Sequence, residues 1–169
     1  MRKPTNTTTF KNKDYCTAMT PQSFNIKVYG LLIKDNRVLV SDELAGSSAV
    51  TTFPGDELEF GQSIEDCLIR SFEDALDINV KIDRLFYVND FYQASPVDAR
   101  EQIVSIYFII EQLDHKSIHT IKKTFAFPPQ IKQCFRWMDI QKIRQMDIAS
   151  LVDQEVVKML QQIQKLESA

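Results

Sequence analysis

The side chains that could do chemistry are concentrated between residues 53 and 80 of this 169-residue chain. A Pro-Gly turn and a short segment over residues 58–60 lead to an apolar periodicity that predicts an amphipathic helix over residues 63–76. At 100° per residue, one face of this helix collects Arg70, Ser71, Asp74 and Ala75. Carboxylate oxygens are preferred ligands of Mg2+, so acids on such a face could hold a divalent cation.

The acids around this face allow two interpretations. Asp66, Arg70 and Asp74 are spaced four residues apart, which is typical of a solvated charge ladder that supports a helix. Metal ligation is the alternative. In that case Glu57 and Glu59, which precede the helix, could reach the same pocket, and Glu73 lies beside Asp74 on its outer side.

The stretch FPGDELEFGQSIEDCLIRSFEDALDINV resembles the Nudix box, the phosphate- and metal-handling element of the Nudix hydrolases, G-x5-E-x7-R-E-U-x-E-E-x-G-U with U apolar. The residues that match this pattern are Arg70, Phe72, Asp74 and Ile78. Five residues replace its Gly or Glu positions: Asp56, Gln62, Ser71, Ala75 and Asp77. The resemblance, carried also by the FPG turn and FRWMDIQKI, extends over about residues 24–166.

The resemblance implies a divalent-cation site with part of its ligands missing. In the family, consecutive Glu residues of the box helix hold Mg2+ or Mn2+, which neutralise a diphosphate and lower the pKa of the attacking water. Only Asp74 stands in one of those places, and Glu59 matches a Glu often found just before the box turn. Glu57 and Glu73 are further candidate metal ligands. Because losing two carboxylates should cost roughly 10^2- to 10^4-fold, we expect the cation to bind weakly if at all.

The same resemblance places a nucleotide-like ligand between the box helix and the central sheet. Arg70 would orient carboxylates there, with Asp66, Asp74 or Glu59 as its expected partner; the alternative is that it faces an anion. Glu101, which precedes a strand near this pocket, is a candidate general base or metal ligand, and otherwise a surface charge. The other candidate substrate-binding residues are Phe53, Phe91 and Tyr92, and the rings of Phe91 and Tyr92 could stack on a base.

The composition narrows the class of protein. With 44% apolar and 25% charged residues, the chain is typical of a soluble globular protein of one domain. A net charge of −3 argues against a nucleic-acid polymer as partner, and no apolar run is long enough to span a bilayer. Because the first residues are rich in Thr and Asn, we expect no secretory signal. The widely spaced Cys16, Cys67 and Cys134 indicate free thiols, so we expect a cytoplasmic protein.

The pattern along the chain predicts a polar extension over residues 1–22 and a single domain over residues 23–169. Strands are predicted at residues 24–33, 37–40, 50–53, 80–92 and 102–111. A last helix is predicted after Ser150, with Asp153 completing its cap. This order predicts an α+β fold with a mixed sheet between two helices, the α/β/α sandwich that the Nudix resemblance also implies.

Three functions compete at this point. The first is a Nudix-fold protein that binds a nucleoside-diphosphate-linked small molecule but hydrolyses it weakly or not at all. The second is an active metal-dependent pyrophosphohydrolase that uses relocated acids. The third is a non-catalytic interaction subunit. The family resemblance also makes a homodimer an expectation.

Overall fold

The structure, a computed structural model, describes residues 21–167. Its helices are α1 (Ile64–Leu76) and α2 (Leu151–Glu167), and short 3-10 turns occupy Ile140–Lys142 and Gln145–Asp147. Its strands are β1 (Ser23–Lys34), β2 (Arg37–Ala45), β3 (Ser48–Thr52), β4 (Gly55–Glu57), β5 (Val80–Val88), β6 (Glu101–Gln112) and β7 (Gln133–Asp139).

The strands form one mixed sheet in two connected parts. In the first part β1 pairs in parallel with β6 and antiparallel with β4, and β5 lies antiparallel on the far side of β6. In the second part β2 pairs antiparallel with both β3 and β7, and the β1–β2 hairpin joins the two parts. The predicted mixed sheet with two helices is therefore confirmed.

Each helix covers its own apolar core. The core under α1 contains Val28, Leu32, Cys67, Leu68 and Phe72, and the core under α2 contains Leu31, Val40, Phe53, Tyr107 and Val156. Alternate residues of β1 therefore point to opposite helices, as the two-residue period of a strand requires. Burying each apolar side chain of this size contributes roughly 1.5–3 kcal/mol, which is what holds the helices on the sheet.

Three segments differ from the predicted elements. The short strand before α1 occupies Gly55–Glu57, ahead of the segment over residues 58–60, because it is Gly55–Glu57 that pairs with residues 27–29 of β1. β5 stops at Val88, since the side chain of Asn89 accepts the backbone N–H of Ser105 (2.7 Å) in place of a ladder carbonyl. Gln133–Asp139, for which no strand was predicted, pairs along the length of β2.

Other expectations lie partly outside the described residues. Residues 1–20, and with them Cys16, are not described, so the division between an extension and a domain stays a prediction. Cys67 and Cys134 are free and buried. Within residues 21–167, no helix has the length and hydropathy needed to cross a membrane.

Candidate functional site

The segment that carries the candidate site is held against β1 by a very close backbone approach. Gly55 pairs with Tyr29, and a Cβ added at Gly55 would lie 2.1 Å from the carbonyl oxygen of Val28. The preceding Pro54 carbonyl accepts the backbone N–H of Gly30 at 2.8 Å. A glycine is needed here because no side chain fits between β4 and β1. This contact fixes the direction in which the chain enters α1.

The two ends of α1 are capped within the box segment, the first by a side chain and the second by a backbone N–H. Ser63 Oγ accepts the backbone N–H of Asp66 (3.0 Å) and donates to the Asp66 carboxylate (2.6 Å). At the other end Asp77 takes the left-handed conformation (φ 53°) and donates its N–H to the Glu73 carbonyl. This is the position where the box pattern has its last Gly, so the turn keeps its shape although the residue type has changed.

Arg70 lies between two carboxylates of the segment that precedes the helix. Its Nη1 is 2.9 Å from Glu59 Oε1, and its Nη2 is 3.3 Å from Asp56 Oδ2. The hydrogen bond with Glu59 is the main reason that the pKa of the Arg70 guanidinium is raised. Arg70 therefore has an internal partner, and Glu59 is among those predicted. Asp66 bonds to Ser63 instead, so the predicted charge ladder through Asp66 and Arg70 does not form.

Neither position where the family pattern calls for Glu beside Arg70 and Asp74 offers a carboxylate. Ser71 is half-buried, and its hydroxyl donates back to the Leu68 carbonyl at 2.9 Å. This bond within the helix occupies the only polar hydrogen of the side chain. Ala75 is exposed and presents a methyl group, while Asp74 and Glu73 lie exposed on the helix surface.

Glu57 lies on the other face of the strand from Arg70. Successive side chains of a strand point to opposite faces, so Asp56 turns toward α1 and Glu57 turns away from it. Glu57 pairs with Lys27 at 3.3 Å, and a hydrogen bond from Asn25, followed by the charge of Lys27, lowers the pKa of its carboxyl. The predicted metal ligands Glu57 and Asp74 are therefore not brought together.

The donor set does not fit a divalent cation. Mg2+ needs several oxygen ligands in near-octahedral geometry, with one or two carboxylates converging on it. Here Asp56 and Glu59 are bound to Arg70, Glu57 is on the opposite face, and Asp74 and Glu73 are exposed on the helix surface. Among the described residues, no group of three or more His, Cys, Asp and Glu side chains could hold a metal ion.

Glu101 is distant from this cluster along the sheet. Asp56 pairs with Val28, and Val28 pairs with Ile106, which lies five residues after Glu101 on β6. At about 3.3 Å per residue, Glu101 is displaced by roughly 17 Å along the strand direction. The backbone of Glu101 is part of a turn, in which the backbone N–H of Ser95 donates to the Glu101 carbonyl at 3.0 Å. The structure thus does not place Glu101 beside Arg70.

The aromatic candidates for substrate binding fall into two groups. Phe53 is fully buried and meets the ring of Tyr107 edge-on at 6.1 Å, so it is part of the core. Phe91 and Tyr92 are exposed by 40% and 58% in the segment after β5, where a flat ligand could reach them. Asp56 is on β4, beside β1, whereas the segment after β5 lies on the far side of β6. Three strand spacings, about 14 Å, therefore separate this segment from Asp56.

A buried polar network between the sheet and α2 was not predicted. The carboxylate of Asp153 accepts the hydroxyls of Tyr107 (2.7 Å) and Thr52 (2.9 Å). Burial raises the pKa of Asp153 to about 6, although the hydrogen bonds from Tyr107, Thr52 and Ser150 act in the opposite direction. Tyr29 stacks on Tyr107 at 4.9 Å, and burial followed by the nearby Asp153 charge raises the pKa of Tyr29.

The sequence holds a weak signal for this network. Asp153 completes the cap of α2, as predicted, since its N–H donates to Ser150 Oγ at 2.9 Å. It also lies inside the apolar stripe of α2 between Val152 and Val156, both fully buried. An acid on the buried face of a helix must find internal hydrogen-bond donors, and this requirement is visible in the sequence.

Comparison with known proteins identifies the fold. No family model and no curated protein sequence matches the chain. Among solved structures, the E. coli ORF135 protein matches with a TM-score of 0.61 and 14% identity, over 80% of this chain and 87% of that one. A Nudix hydrolase from Nitrosomonas europaea matches with a TM-score of 0.59 and 22% identity, over 83% and 72% of the two chains.

A third solved structure, a UDP-X diphosphatase, matches with a TM-score of 0.56 and 15% identity, over 89% of this chain and 67% of that one. At such identities the comparisons establish architecture rather than activity. The agreement extends over most of both chains in each case. This chain therefore has the Nudix-like fold that residues 53–80 indicated.

Proposed function

We propose that this chain is a Nudix-fold protein that binds a nucleoside-diphosphate-linked small molecule and hydrolyses it weakly or not at all. The observation that carries the proposal is the set of side chains that α1 presents at the positions of the box pattern. Ser71 turns its hydroxyl back to Leu68, Ala75 has no polar atom, and Arg70 is bound by Asp56 and Glu59. The helix lacks the converging carboxylates that a catalytic cation requires.

Loss of the cation ligands does not require loss of binding. Arg70 keeps a planar fork of donors that suits a phosphate bidentately. Its present partners are exposed by 52% and 67%, and exposed ion pairs contribute little to stability, so a phosphate could exchange with them at small cost. The Nudix-like fold also occurs in a protein named UDP-X diphosphatase, which supports a diphosphate-linked ligand class.

The proposal separates binding from turnover, so the experiment measures both. Isothermal titration with ADP-ribose and with UDP-sugars, each in EDTA and in Mg2+, gives the affinity and its dependence on the cation. Product release from the same compounds in Mg2+ and Mn2+ gives the rate. We expect saturable binding of one of these compounds in EDTA and turnover below about 1 s−1, the low end of ordinary enzymes.

Returning the two missing carboxylates to α1 tests whether their loss is the reason for low turnover. The double variant Ser71→Glu, Ala75→Glu should gain binding of Mn2+ and hydrolysis by about 10^2-fold or more, since two carboxylate ligands return. The matched control adds the same charges at exposed positions outside the site, Ser117→Glu with Ala126→Glu. Fast turnover by the unmodified chain, or equal behaviour of the two double variants, would contradict the proposal.

A further inference from the structure

The sheet has an apolar face beside α1 that no other described element covers. Strand register defines it, because residues paired across neighbouring strands point to the same side. Ile26 pairs with Val104, and Ile106 pairs with both Val28 and Val88. We name this surface the open face; its residues are Phe24, Ile26, Leu85, Val88, Val104 and Ile106.

The open face continues the core under α1 but lies outside it. Val28, two residues after Ile26, is fully buried under α1, and Phe108, the partner of Leu85, packs against the same core. None of the open-face residues belongs to either core. Phe24 is 71% exposed and Leu85 56%. Three adjacent strands thus present apolar side chains without a charged group among them, and such a contiguous patch marks an interaction surface.

We propose that the open face is a docking surface for the N-terminal segment of the same chain, residues 1–20. The first argument is position. The chain enters β1 at Ser23, where the N–H groups of Gln22 and Ser23 are anchored to the Arg100 carbonyl at 2.7 and 3.2 Å. Phe24, the next residue, belongs to the open face. The segment therefore joins the body at the edge of the surface that it would cover.

The second argument is charge. Residues 1–20 hold four basic side chains (Arg2, Lys3, Lys11 and Lys13) and one acidic side chain, Asp14. The neighbouring helix α1 exposes the acids Glu65, Asp66, Glu73 and Asp74. Its only basic residue, Arg70, is already bound by Asp56 and Glu59. The basic segment and the acidic helix surface are therefore complementary in sign.

The third argument is reach and apolar content. The open face spans three strands, which are about 5 Å apart. A chain can extend by roughly 3.3 Å per residue, so twenty residues are long enough to cross this face. Phe10, Tyr15 and Met19 are the large apolar or aromatic side chains in the interior of this segment, and they could pack on the open face. This docking is independent of the ligand proposed above.

Spin labelling of the complete chain tests the proposal. The label is attached at Cys16, because Cys67 and Cys134 are buried, and a Cys16→Ser chain treated in the same way shows any stray labelling. Methyl NMR signals are then compared between the open face and α2, on the opposite side of the sheet. We expect broadening of the Ile26, Leu85, Val88, Val104 and Ile106 methyls, and none at Leu151 or Leu166.

A mixed sample separates the segment from a second copy as occupant. Isotope-labelled chains without the spin label are combined with spin-labelled chains without isotopes. Broadening in the mixed sample would show that another copy reaches the open face, and this would overturn the proposal. Absence of broadening in both samples would overturn it as well.

Surface variants complete the test. Leu85→Ser combined with Val88→Ser changes only exposed positions of the open face, and we expect the broadening of the remaining open-face methyls to be lost. Leu151→Ser, at a position of α2 that is 73% exposed, is the matched control and should leave the broadening unchanged. Equal broadening in both variants would contradict docking on this face.

Discussion

Two arginines of this molecule bind carboxylates in opposite surroundings. Arg136 on β7 donates to Asp42 (2.9 Å) and to Thr51 (3.1 Å), and the side chains of Arg136 and Asp42 are 9% and 0% exposed. Arg70 on α1 donates to Glu59 and Asp56 at 2.9 and 3.3 Å, with its own side chain 34% exposed. The distances are similar, but only the Arg136–Asp42 pair is shielded from water.

This difference separates a structural ion pair from an exchangeable one. Asp42 also accepts Thr51 Oγ1 (2.7 Å) and the backbone N–H of Phe125 (3.0 Å), so each oxygen of its carboxylate has an internal donor. Removing one member would leave a charge buried without compensation. Around Arg70, water can replace either carboxylate, and so can a phosphate. The ligand-binding role that we propose therefore falls on the exposed arginine and not on the buried one.

The largest expected effect comes from removing the buried arginine. Arg136→Met should lower the free energy of unfolding by about 3–5 kcal/mol, because Asp42 loses its charge partner. Arg70→Met should change it far less. Urea denaturation of both variants and of the unmodified chain measures the two effects. Equal losses would show that the exposed cluster is as structural as the buried one.

The next effect concerns the buried acid on α2. The pKa of Asp153 in the folded protein is about 6, above the value of about 3.9 in unfolded chains. The folded state therefore holds this proton more tightly. The contribution of Asp153 to stability is fully present below pH 4 and is lost as the pH rises to 6, a change of about 2–3 kcal/mol.

Asp153→Asn removes this titration and keeps a side chain of similar shape. The difference in unfolding free energy between the unmodified chain and the variant should fall between pH 4 and 6 and be constant above pH 7. Groups that titrate in both proteins, such as Asp98 with its pKa lowered to about 2 by Arg100, cancel in the difference. A flat difference across pH 4–6 would mean that Asp153 is ionised in the fold.

The smallest expected effect is on ligand affinity, and it tests the proposed role of Arg70. Asp56→Asn removes one negative charge beside the guanidinium, so the affinity for a diphosphate-linked ligand should rise about fivefold, the scale of one exposed charge pair at contact. Glu65→Gln, an exposed acid of α1 whose side chain does not pair with Arg70, is the control and should leave the affinity unchanged. Titration calorimetry in EDTA measures both. Weaker binding by Asp56→Asn would contradict the exchange described above.

Much of the fold follows from local sequence patterns, whereas the side-chain pairings in the candidate site do not. The amphipathic period located α1 to within a residue, and the apolar stripe located α2. The pairing of Asp56 with Arg70 depends on β4 lying on β1, a contact between distant strands that no local period reveals. Asp153 shows the same limit, because one residue serves both as the cap and as the buried acid.

The central claim is that α1 lacks the ligands for a catalytic cation, and direct cation binding tests it. Free Mn2+ gives an electron paramagnetic resonance signal that decreases as the ion binds to protein. We expect the unmodified chain to leave the Mn2+ signal at the level of the same solution without protein, and the Ser71→Glu, Ala75→Glu variant to reduce it. Stoichiometric loss of the signal with the unmodified chain, abolished by Asp74→Asn, would contradict the account.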